Sequence, residues 1–438
     1  MSTKLQEIAK VARLRPTEKF TSLAHLIDEE MITICHEEML KGKAVGVDEV
    51  TKEEYAEDLD RNVKDLIKRM KRNAYRPQPV KRVHIPKAGS DKKRPLGIPA
   101  YEDKLVQTAL AKILSAIYEQ QFMDSSFGFR PNRNCHDALK VLNEILHRRP
   151  INYVVDVDIK GFFDNVNHKW MMEFIKHRIE DPNILRLIGR FLRAGVVEAG
   201  VRYDTPEGTP QGGPISPILA NIYLHYVVDL WFEKKMRRQY KGAAYMIRYA
   251  DDKVYCFEHR EEAEAFYKTL QERLEEFGLE ISEDKSKIIA FGRRAGSQTK
   301  GKPETFDFLG FTHYCSKSQN GKFRVKRKTS RKKYKASLLK AKEWIRNNRH
   351  QPKDALIEEL NRKLKGYYNY YGITDNTPML RKYVDEVKRM LFKYLNRRSQ
   401  RKSYQWDKFQ LFMKKYPLEK PRVKVSIFEL KTELSYIK

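Results

Sequence analysis

The chain has 438 residues, of which 87 are Lys or Arg and 58 are Asp or Glu, giving a formal net charge of +29. With 41% hydrophobic and 11% aromatic residues it can build folded cores, and its length predicts two or three packed units rather than one. The strong positive charge predicts an anionic partner. Nucleic acid is the first candidate, and a merely basic soluble or ribosome-like protein is the alternative.

Simple patterns argue against secreted, membrane and zinc proteins. The N-terminus, MSTKLQEIAK, lacks the apolar core of a secretion signal, and no apolar run approaches the ~18 residues of a membrane span. The four cysteines form no CxxC pair and have no matching histidine spacing, so neither a disulfide framework nor a zinc site is indicated. We therefore expect a cytoplasmic protein that does not contact membranes.

The predicted elements begin with helices and a hairpin. Residues 18–75 show helical periodicity, broken within KGKAVGVDEVT by Gly46 and Asp48. Between residues 77 and 99, VKRVHIPK, the turn AGSDKK and RPLGIP predict a hairpin with a basic tip. Such a tip can close over an anionic ligand.

The later segments predict a sheet and then a basic helical unit. INYVVDVDIKGFF is rich in strand-forming residues, and YMIRYADDKVYCF predicts two short strands around an acidic turn. Because strands and helices alternate unevenly, we expect a mixed α+β sheet domain. From about residue 317 the composition becomes basic and helical, with clustered tyrosines in GYYNYYG at 366–372, which predicts a separate domain.

Acidic residues form the central chemical pattern: Asp156 and Asp158 in one strand segment, Asp251 and Asp252 in the other. Each alone has an ordinary explanation, since Asp is common in hairpin turns. Carboxylates on two buried strands are costly unless a cation meets them, so together they predict a shared divalent-ion site. Mg²⁺ prefers such ligands, and two ions about 3.5 to 4 Å apart can support in-line phosphoryl transfer.

Seven motifs follow one another along the chain: RPLGIP, FGFRPNR, DVDIKGFFD, TPQGGPISP, YADD, DKSK and FLGF. In this order they resemble the motif series of group II intron-encoded reverse transcriptases, over roughly residues 20–438. The resemblance implies a right-hand polymerase with fingers, a mixed or antiparallel palm sheet and a helical thumb. The implied units are an N-terminal helical extension (1–75), fingers (76–155), palm with finger–palm elements (156–316) and a basic thumb or maturase domain (317–438).

The resemblance also implies the catalytic and metal-binding residues. Asp158, rather than Asp156, is the expected palm ligand, because the family places an aromatic steric gate five positions later, here Phe163. Asp251 is the expected principal ligand of the second motif. Asp252 is expected to assist, because adjacent strand residues point to different sides.

Further residues are implied to meet substrates. The residues expected to bind the incoming dNTP, besides Phe163, are Lys87, Arg94 and Gln211. The residues expected to contact template or primer are Arg130, Gly310, Lys326, Arg327, Lys328, Arg331 and Lys332. A solvated hairpin face and an ordinary Gly-Pro loop are the alternatives for the dNTP-binding residues.

The function implied by the resemblance is that of an RNA-directed DNA polymerase with two Mg²⁺ ions, for which Mn²⁺ can substitute. Its partners would be an RNA template, a DNA or RNA primer, dNTPs and, as a maturase, group II intron RNA. Two alternatives remain: a non-catalytic splicing maturase, and a free-standing reverse transcriptase recruited to another role such as phage defence. No HNH endonuclease motif is present, so intrinsic second-strand cleavage is not expected, and the oligomeric state stays open.

Overall fold

The computed structural model describes residues 3–86, 93–198, 200–204, 207–208, 212–295, 303–397 and 404–430. Several of its helices in the first half begin at side-chain caps, for example where Asp28 accepts from the backbone N–H of Met31 and where Thr51 and Glu54 form a capping box. These helices are α1 (Thr3–Leu14), α2 (Glu29–Glu38), α3 (Lys52–Ala56), α4 (Leu59–Lys71), α5 (Tyr101–Tyr118), α6 (Cys135–Arg148), α7 (His168–Lys176) and α8 (Pro182–Leu192). The predicted N-terminal helical region is confirmed, and α1 extends it upstream.

The predicted hairpin is also confirmed. Strands β1 (Val80–Pro86) and β2 (Lys93–Ile98) pair antiparallel, with Val83 opposite Leu96. Two short strands from a distant part of the chain, β4 (Val196–Glu198) and β5 (Val201–Tyr203), extend this sheet in the order β2-β1-β4-β5. The parallel contact of β4 with β1 joins the hairpin to the central domain.

The two acidic segments meet in one antiparallel sheet of order β6-β7-β3-β8. Its strands are β3 (Tyr153–Val157), β6 (Ala244–Tyr249), β7 (Asp252–Phe257) and β8 (Lys287–Ala290). Val157 of β3 lies opposite Lys253 of β7, so the acidic ends of both segments reach the same edge. The α+β class predicted from the sequence is confirmed.

A third sheet lies before the last group of helices. Strands β9 (Thr305–Phe308), β10 (Phe311–Lys317) and β11 (Phe323–Thr329) pair antiparallel in the order β11-β10-β9. The expectation that helices begin at about residue 317 is wrong, because the basic run first forms β11. The remaining helices are α9 (Ser216–Leu224), α10 (Arg260–Glu276), α11 (Arg331–Asn348), α12 (Lys353–Tyr371), α13 (Thr377–Leu395) and α14 (Trp406–Lys415).

Three buried clusters hold these elements together. The largest packs α5 and α9 beneath the central sheet, with Leu110 and Ile222 inside it. The second joins α6 to the other face of the sheet and to Phe311 of β10, and the third lies among α11 to α14. Within the described residues, no helix is both long and apolar enough to cross a membrane.

A buried ion pair connects the helical layer to the central sheet. Helix α9 continues through π-helical turns at His225–Asp229 and Phe232–Met236, which brings Asp229 under β6. The side chains of Arg248 and Asp229 are both 0% exposed. Arg248 donates from Nε to Oδ1 at 2.7 Å and from Nη2 to Oδ2 at 2.6 Å. Its Nη1 donates to Asn221 Oδ1 and to the carbonyl of Ala250, both at 3.0 Å.

Breaking this pair should destabilise the whole fold. We expect Arg248→Met to lower the free energy of unfolding by about 3–5 kcal/mol, because it leaves the Asp229 carboxylate buried and unpaired. The exposed Arg389–Glu386 pair provides the control, since Arg389→Met should cost no more than about 1 kcal/mol. Urea denaturation followed by circular dichroism measures both, and equal small losses would contradict the role of the buried pair.

Candidate active site

The three predicted metal-binding aspartates lie at one edge of the central sheet. Asp251 lies in the turn between β6 and β7, where Ala250 has a left-handed backbone with φ of 57°, and Asp252 is the first residue of β7. Asp158 follows the last residue of the adjacent strand β3. The backbone N–H of Asp158 donates to Ser286 Oγ at 3.1 Å, which fixes the chain as it leaves the strand.

The carboxylates repel one another. The pKa of Asp252 is raised to about 6, first because crowding protein atoms desolvate the carboxylate and then because Asp251 and Asp158 add negative charge. Asp252 nevertheless remains exposed to solvent. The pKa of Asp156 is raised to about 7 by burial, with the charge of Lys287 opposing the shift and the neighbouring aspartates adding to it. This edge therefore concentrates negative charge.

Lysines that were not nominated from the sequence surround these acids. Lys285 Nζ lies 2.5 Å from Asp158 Oδ2. Lys253 is 1% exposed, and its Nζ donates to the carbonyl of Asp251 at 3.3 Å. Burial lowers the pKa of Lys253 to about 8, while the charge of Asp251 acts in the opposite direction. The sequence did offer one indication of this role for Lys253, because a lysine inside an otherwise apolar strand, directly after an acidic turn, is unusual.

The donor chemistry of this edge fits a divalent cation. Carboxylate oxygens are the hard ligands that Mg²⁺ prefers, and their mutual repulsion would be relieved by a cation. In the part of the chain that the structure describes, however, no three His, Cys, Asp or Glu side chains are arranged to hold a metal ion. Asp158 is paired with Lys285 instead, so cation binding requires that this exposed ion pair open.

The two adjacent phenylalanines of GFFD have different surroundings. They lie in a 3₁₀ turn that follows Gly161, whose left-handed φ is 55°. Phe162 is 3% exposed and packs in the largest core, whereas Phe163 is half-buried. Gly208, with φ of 88°, lies against the backbone of Phe163, and its N–H donates to the carbonyl of Val166 at 2.8 Å.

The structure describes some of the predicted dNTP-binding residues. Lys87 and Gln211 lie outside the described residues. Arg94 is exposed on β2, opposite Ile85 of β1. The glycine after Gln211 packs directly on β2, since a Cβ on Gly212 would lie 2.5 Å from the carbonyl oxygen of Gly97. This close approach brings Gly212 to the hairpin that carries Arg94.

The side chain of Arg130 makes its contacts within the fold. Its side chain is buried, and its Nε donates to Glu119 Oε2 at 2.9 Å. Its Nη1 donates to the carbonyls of Met123 at 2.7 Å and Ser126 at 2.9 Å. The expectation that Arg130 contacts template or primer is therefore wrong, because its donors hold the loop before α6.

The FLGF turn is fixed by the helical unit. Leu309 and Gly310 have left-handed φ of 49° and 78°. The hydroxyl of Tyr370 in α12 donates to the carbonyl of Leu309 at 2.9 Å, and the backbone N–H of Ser330 donates to that of Gly310 at 2.9 Å. Lys333, in the first turn of α11, is close enough for its charge to oppose the rise in the pKa of Asp252.

The predicted basic contacts divide into exposed and buried residues. Lys328, Arg331 and Lys332 are exposed and Lys326 is half-buried. Arg327 is 0% exposed, donates to Asn143 Oδ1 at 2.5 Å and lies 3.7 Å from Asp375 Oδ2. The expectation that Arg327 contacts nucleic acid is wrong, because it points inward from β11 while its neighbours point outward.

Comparisons with known proteins agree with this arrangement. Residues 85–313 match the family model described as reverse transcriptase (RNA-dependent DNA polymerase), and residues 326–412 match the group II intron, maturase-specific domain. The group II intron-encoded protein LtrA of Lactococcus lactis subsp. cremoris is 38% identical over 237 residues, which cover 53% of this chain and 39% of LtrA. The chain thus matches well under half of that relative.

Two further relatives are also similar to this chain. Protein YkfC of Escherichia coli is 32% identical over 282 residues, covering 57% of this chain and 71% of YkfC. The mitochondrial nuclear intron maturase 2 of Arabidopsis thaliana is 30% identical over 183 residues, covering 32% and 24%. The chain therefore belongs to the reverse transcriptase (RNA-dependent DNA polymerase) family and carries a group II intron maturase-specific domain.

Proposed function

We propose that the protein copies RNA into DNA. The observation that carries this proposal is the meeting of Asp158, Asp251 and Asp252 at one sheet edge, in a chain of the reverse transcriptase family. The 3′-oxygen of a primer attacks the α-phosphorus of a dNTP, the new ester bond forms, and the bond to the leaving pyrophosphate breaks. An RNA template selects each dNTP by base pairing.

Asp158 and Asp251 are the principal residues that would hold two Mg²⁺ ions, with Asp252 assisting and Mn²⁺ able to substitute. When bound, such ions activate the attacking oxygen and stabilise the leaving pyrophosphate. The residues of the chain orient the reactants. Lys253 stays under the acidic edge as a fixed positive charge, while exposed Lys285 can leave Asp158 at little cost.

The nucleotide site lies between the hairpin and the central sheet. Arg94, together with Lys87, would grip the triphosphate, since Arg and Lys make strong charge-assisted bonds to phosphate. Gln211, the residue before Gly212, would line the nucleotide pocket. Half-buried Phe163 would pack beneath the sugar and exclude a ribose 2′-hydroxyl.

The nucleic-acid duplex would lie along the helical unit. Lys326, Lys328, Arg331 and Lys332 would neutralise phosphates, and the Gly310 turn would press on the primer strand. In this assignment residues 1–75 are a helical extension, 76–155 the fingers, 156–316 the palm and 317–438 the thumb. The last boundary is crossed by the pairing of β10 with β11.

A second proposed function is binding of group II intron RNA as a maturase, favoured by the match of residues 326–412 to the maturase-specific domain. The two functions can share one basic surface. A splicing assay with the intron that flanks the coding sequence tests the second function separately. A chain that binds the intron but never extends a primer would be a non-catalytic maturase, and one active without an intron would be free-standing.

Removing the acids should abolish polymerisation and leave binding intact. We expect Asp251→Asn with Asp252→Asn to remove extension of a primed RNA template by dNTPs and Mg²⁺, because Asn is a neutral and weaker ligand. RNA affinity should persist, since phosphate contacts come from Lys and Arg. Asp60→Asn with Asp65→Asn, two exposed acids of α4, is the matched control. Full extension by the active-site double variant would refute the assignment.

The basic surface should determine the salt dependence of binding. We expect replacement of Lys326, Lys328, Arg331 and Lys332 with Gln to weaken template–primer binding. The slope of log affinity against log salt should fall by about 0.7 to 0.9 for each phosphate that the variant no longer neutralises. Replacing exposed lysines elsewhere, at Lys10, Lys64, Lys176 and Lys268, should change the slope less. If the wild type, the variant and the control have equal slopes, the four replaced side chains do not contact phosphates.

The two phenylalanines should give opposite phenotypes. Phe163→Val should raise ribonucleotide incorporation, because a smaller side chain leaves space for the 2′-hydroxyl. Phe162→Val should instead destabilise the fold by on the order of 3 kcal/mol, as expected for a truncated core ring. Single-nucleotide extension with matched ribo- and deoxynucleotides, together with thermal unfolding, distinguishes them. Relaxed sugar selection in Phe162→Val alone would mean that Asp156, not Asp158, is the metal ligand.

A further inference from the structure

Phe129, in the FGFRPNR segment, is an aromatic residue in an unusual position. Its side chain is 57% exposed, and its backbone has a left-handed φ of 57°. Left-handed backbone is costly for a bulky residue, whereas glycine adopts it freely. Among the described residues, no aromatic ring or cationic group lies over the Phe129 ring. The fold therefore leaves more than half of this side chain in solvent and holds its backbone in a costly conformation.

The backbone on both sides of Phe129 is fixed. A Cβ on Gly128 would lie 2.2 Å from the backbone nitrogen of Ala250, so Gly128 lies directly against the YADD turn. The Asn221 side chain donates to the carbonyl of Gly128 at 2.8 Å. On the other side, Arg130 is anchored by its hydrogen bonds to Glu119 and to the loop backbone. The position of the exposed ring is thus determined by buried neighbours.

This position is next to the acidic edge. The segment before Phe129 extends the central sheet beside β6, where the N–H of Phe127 donates to the carbonyl of Arg248 at 2.8 Å. Ala250, which touches Gly128, immediately precedes Asp251. Phe129 therefore follows, by one residue, the point at which its loop contacts the YADD turn.

We propose that Phe129 is a stacking platform for a base of the template–primer duplex beside the YADD turn. The proposal rests on the proposed polymerase function, which brings a duplex to this edge. The net charge of +29 favours a polyanion as the occupant, and an aromatic face accepts any base because every base has a π-face. Backbone strain retained around an exposed ring is typical of a site that serves binding rather than folding.

Fluorescence of 2-aminopurine placed at single positions of the template or the primer near the 3′ end tests the stacking. We expect one position to be quenched by the wild-type protein and by Phe129→Tyr, which keeps a ring. Phe129→Leu, which keeps apolar bulk without a ring, should lose this quenching. Phe129→Ala should bind the duplex at least about fivefold more weakly. The quenched position identifies the strand that stacks.

Phe428→Ala is the matched control, because Phe428 is 55% exposed but contacts the guanidinium of Arg324. It should behave as wild type at the quenched position. If Phe129→Leu and wild type quench equally at every position, the proposal is wrong. Loss of quenching in the Phe428 variant as well would equally refute a specific interaction at Phe129.

Phe129→Gly separates binding from folding. Because glycine relieves the left-handed strain, this variant should have a Tm equal to or above that of wild type while it loses the quenching. A lower Tm would make Phe129 a packing residue and overturn the proposal. Primer extension by the wild-type protein is scored in parallel. Quenching without extension would refute the polymerase function alone, and extension without Phe129-dependent quenching would refute the stacking platform alone.

Discussion

The geometry of the candidate active site depends on the buried guanidinium of Arg248. A charged group removed completely from water is tolerated only when its donors are satisfied, and Arg248 uses them on Asp229, Asn221 and the carbonyl of Ala250. Asn221 in turn donates to the carbonyl of Gly128. One buried cation thus fixes the continuation of α9, the acidic turn and the loop before α6, which are distant in sequence. The acids can be close together because this group leaves their supporting segments no alternative arrangement.

The acidic edge is balanced by two kinds of positive charge. Lys253 is enclosed by the sheet and donates to the backbone of Asp251, so it remains in place whatever binds. Lys285 reaches Asp158 from an exposed position, where an ion pair contributes little and opens readily. The first lysine limits the repulsion that holding acids together creates, and the second can exchange with a ligand. In the proposed reaction, one buried and one exchangeable counter-charge would suit an edge that accepts cations and phosphates in turn.

Local patterns in the sequence were sufficient for the hairpin β1–β2, for β3 and for the β6–β7 turn, because period-two alternation and turn residues act over a few positions. They were insufficient for β11, where Arg327 occupies an inward position that alternation assigns to apolar residues. A buried cation is stabilised at that position by Asn143 and Asp375, which are distant in sequence. The burial of Arg130 was likewise not predictable from local patterns, because its acceptors come together only when its own loop folds. The motif order indicated which acids to choose, while the contacts of Lys253 and Lys285 with those acids were visible only in the three-dimensional structure.

Charge counts overstate how much of a basic protein's surface is available to nucleic acid. Arg130, Arg178, Arg248 and Arg327 are all buried and bind carbonyls or carboxylates within the fold; Arg178, for instance, donates to the carbonyl of Glu18 and joins α1 to the sequence after α7. Arginine suits this task because its planar group satisfies several acceptors at once. At the edge that carries the candidate active site, the usual distribution of side chains between interior and surface is inverted. Cationic groups are buried there, and an aromatic ring is exposed. Burying a cation and exposing a strained ring both cost folding energy, and the proposed binding of a template–primer at this edge would account for both departures.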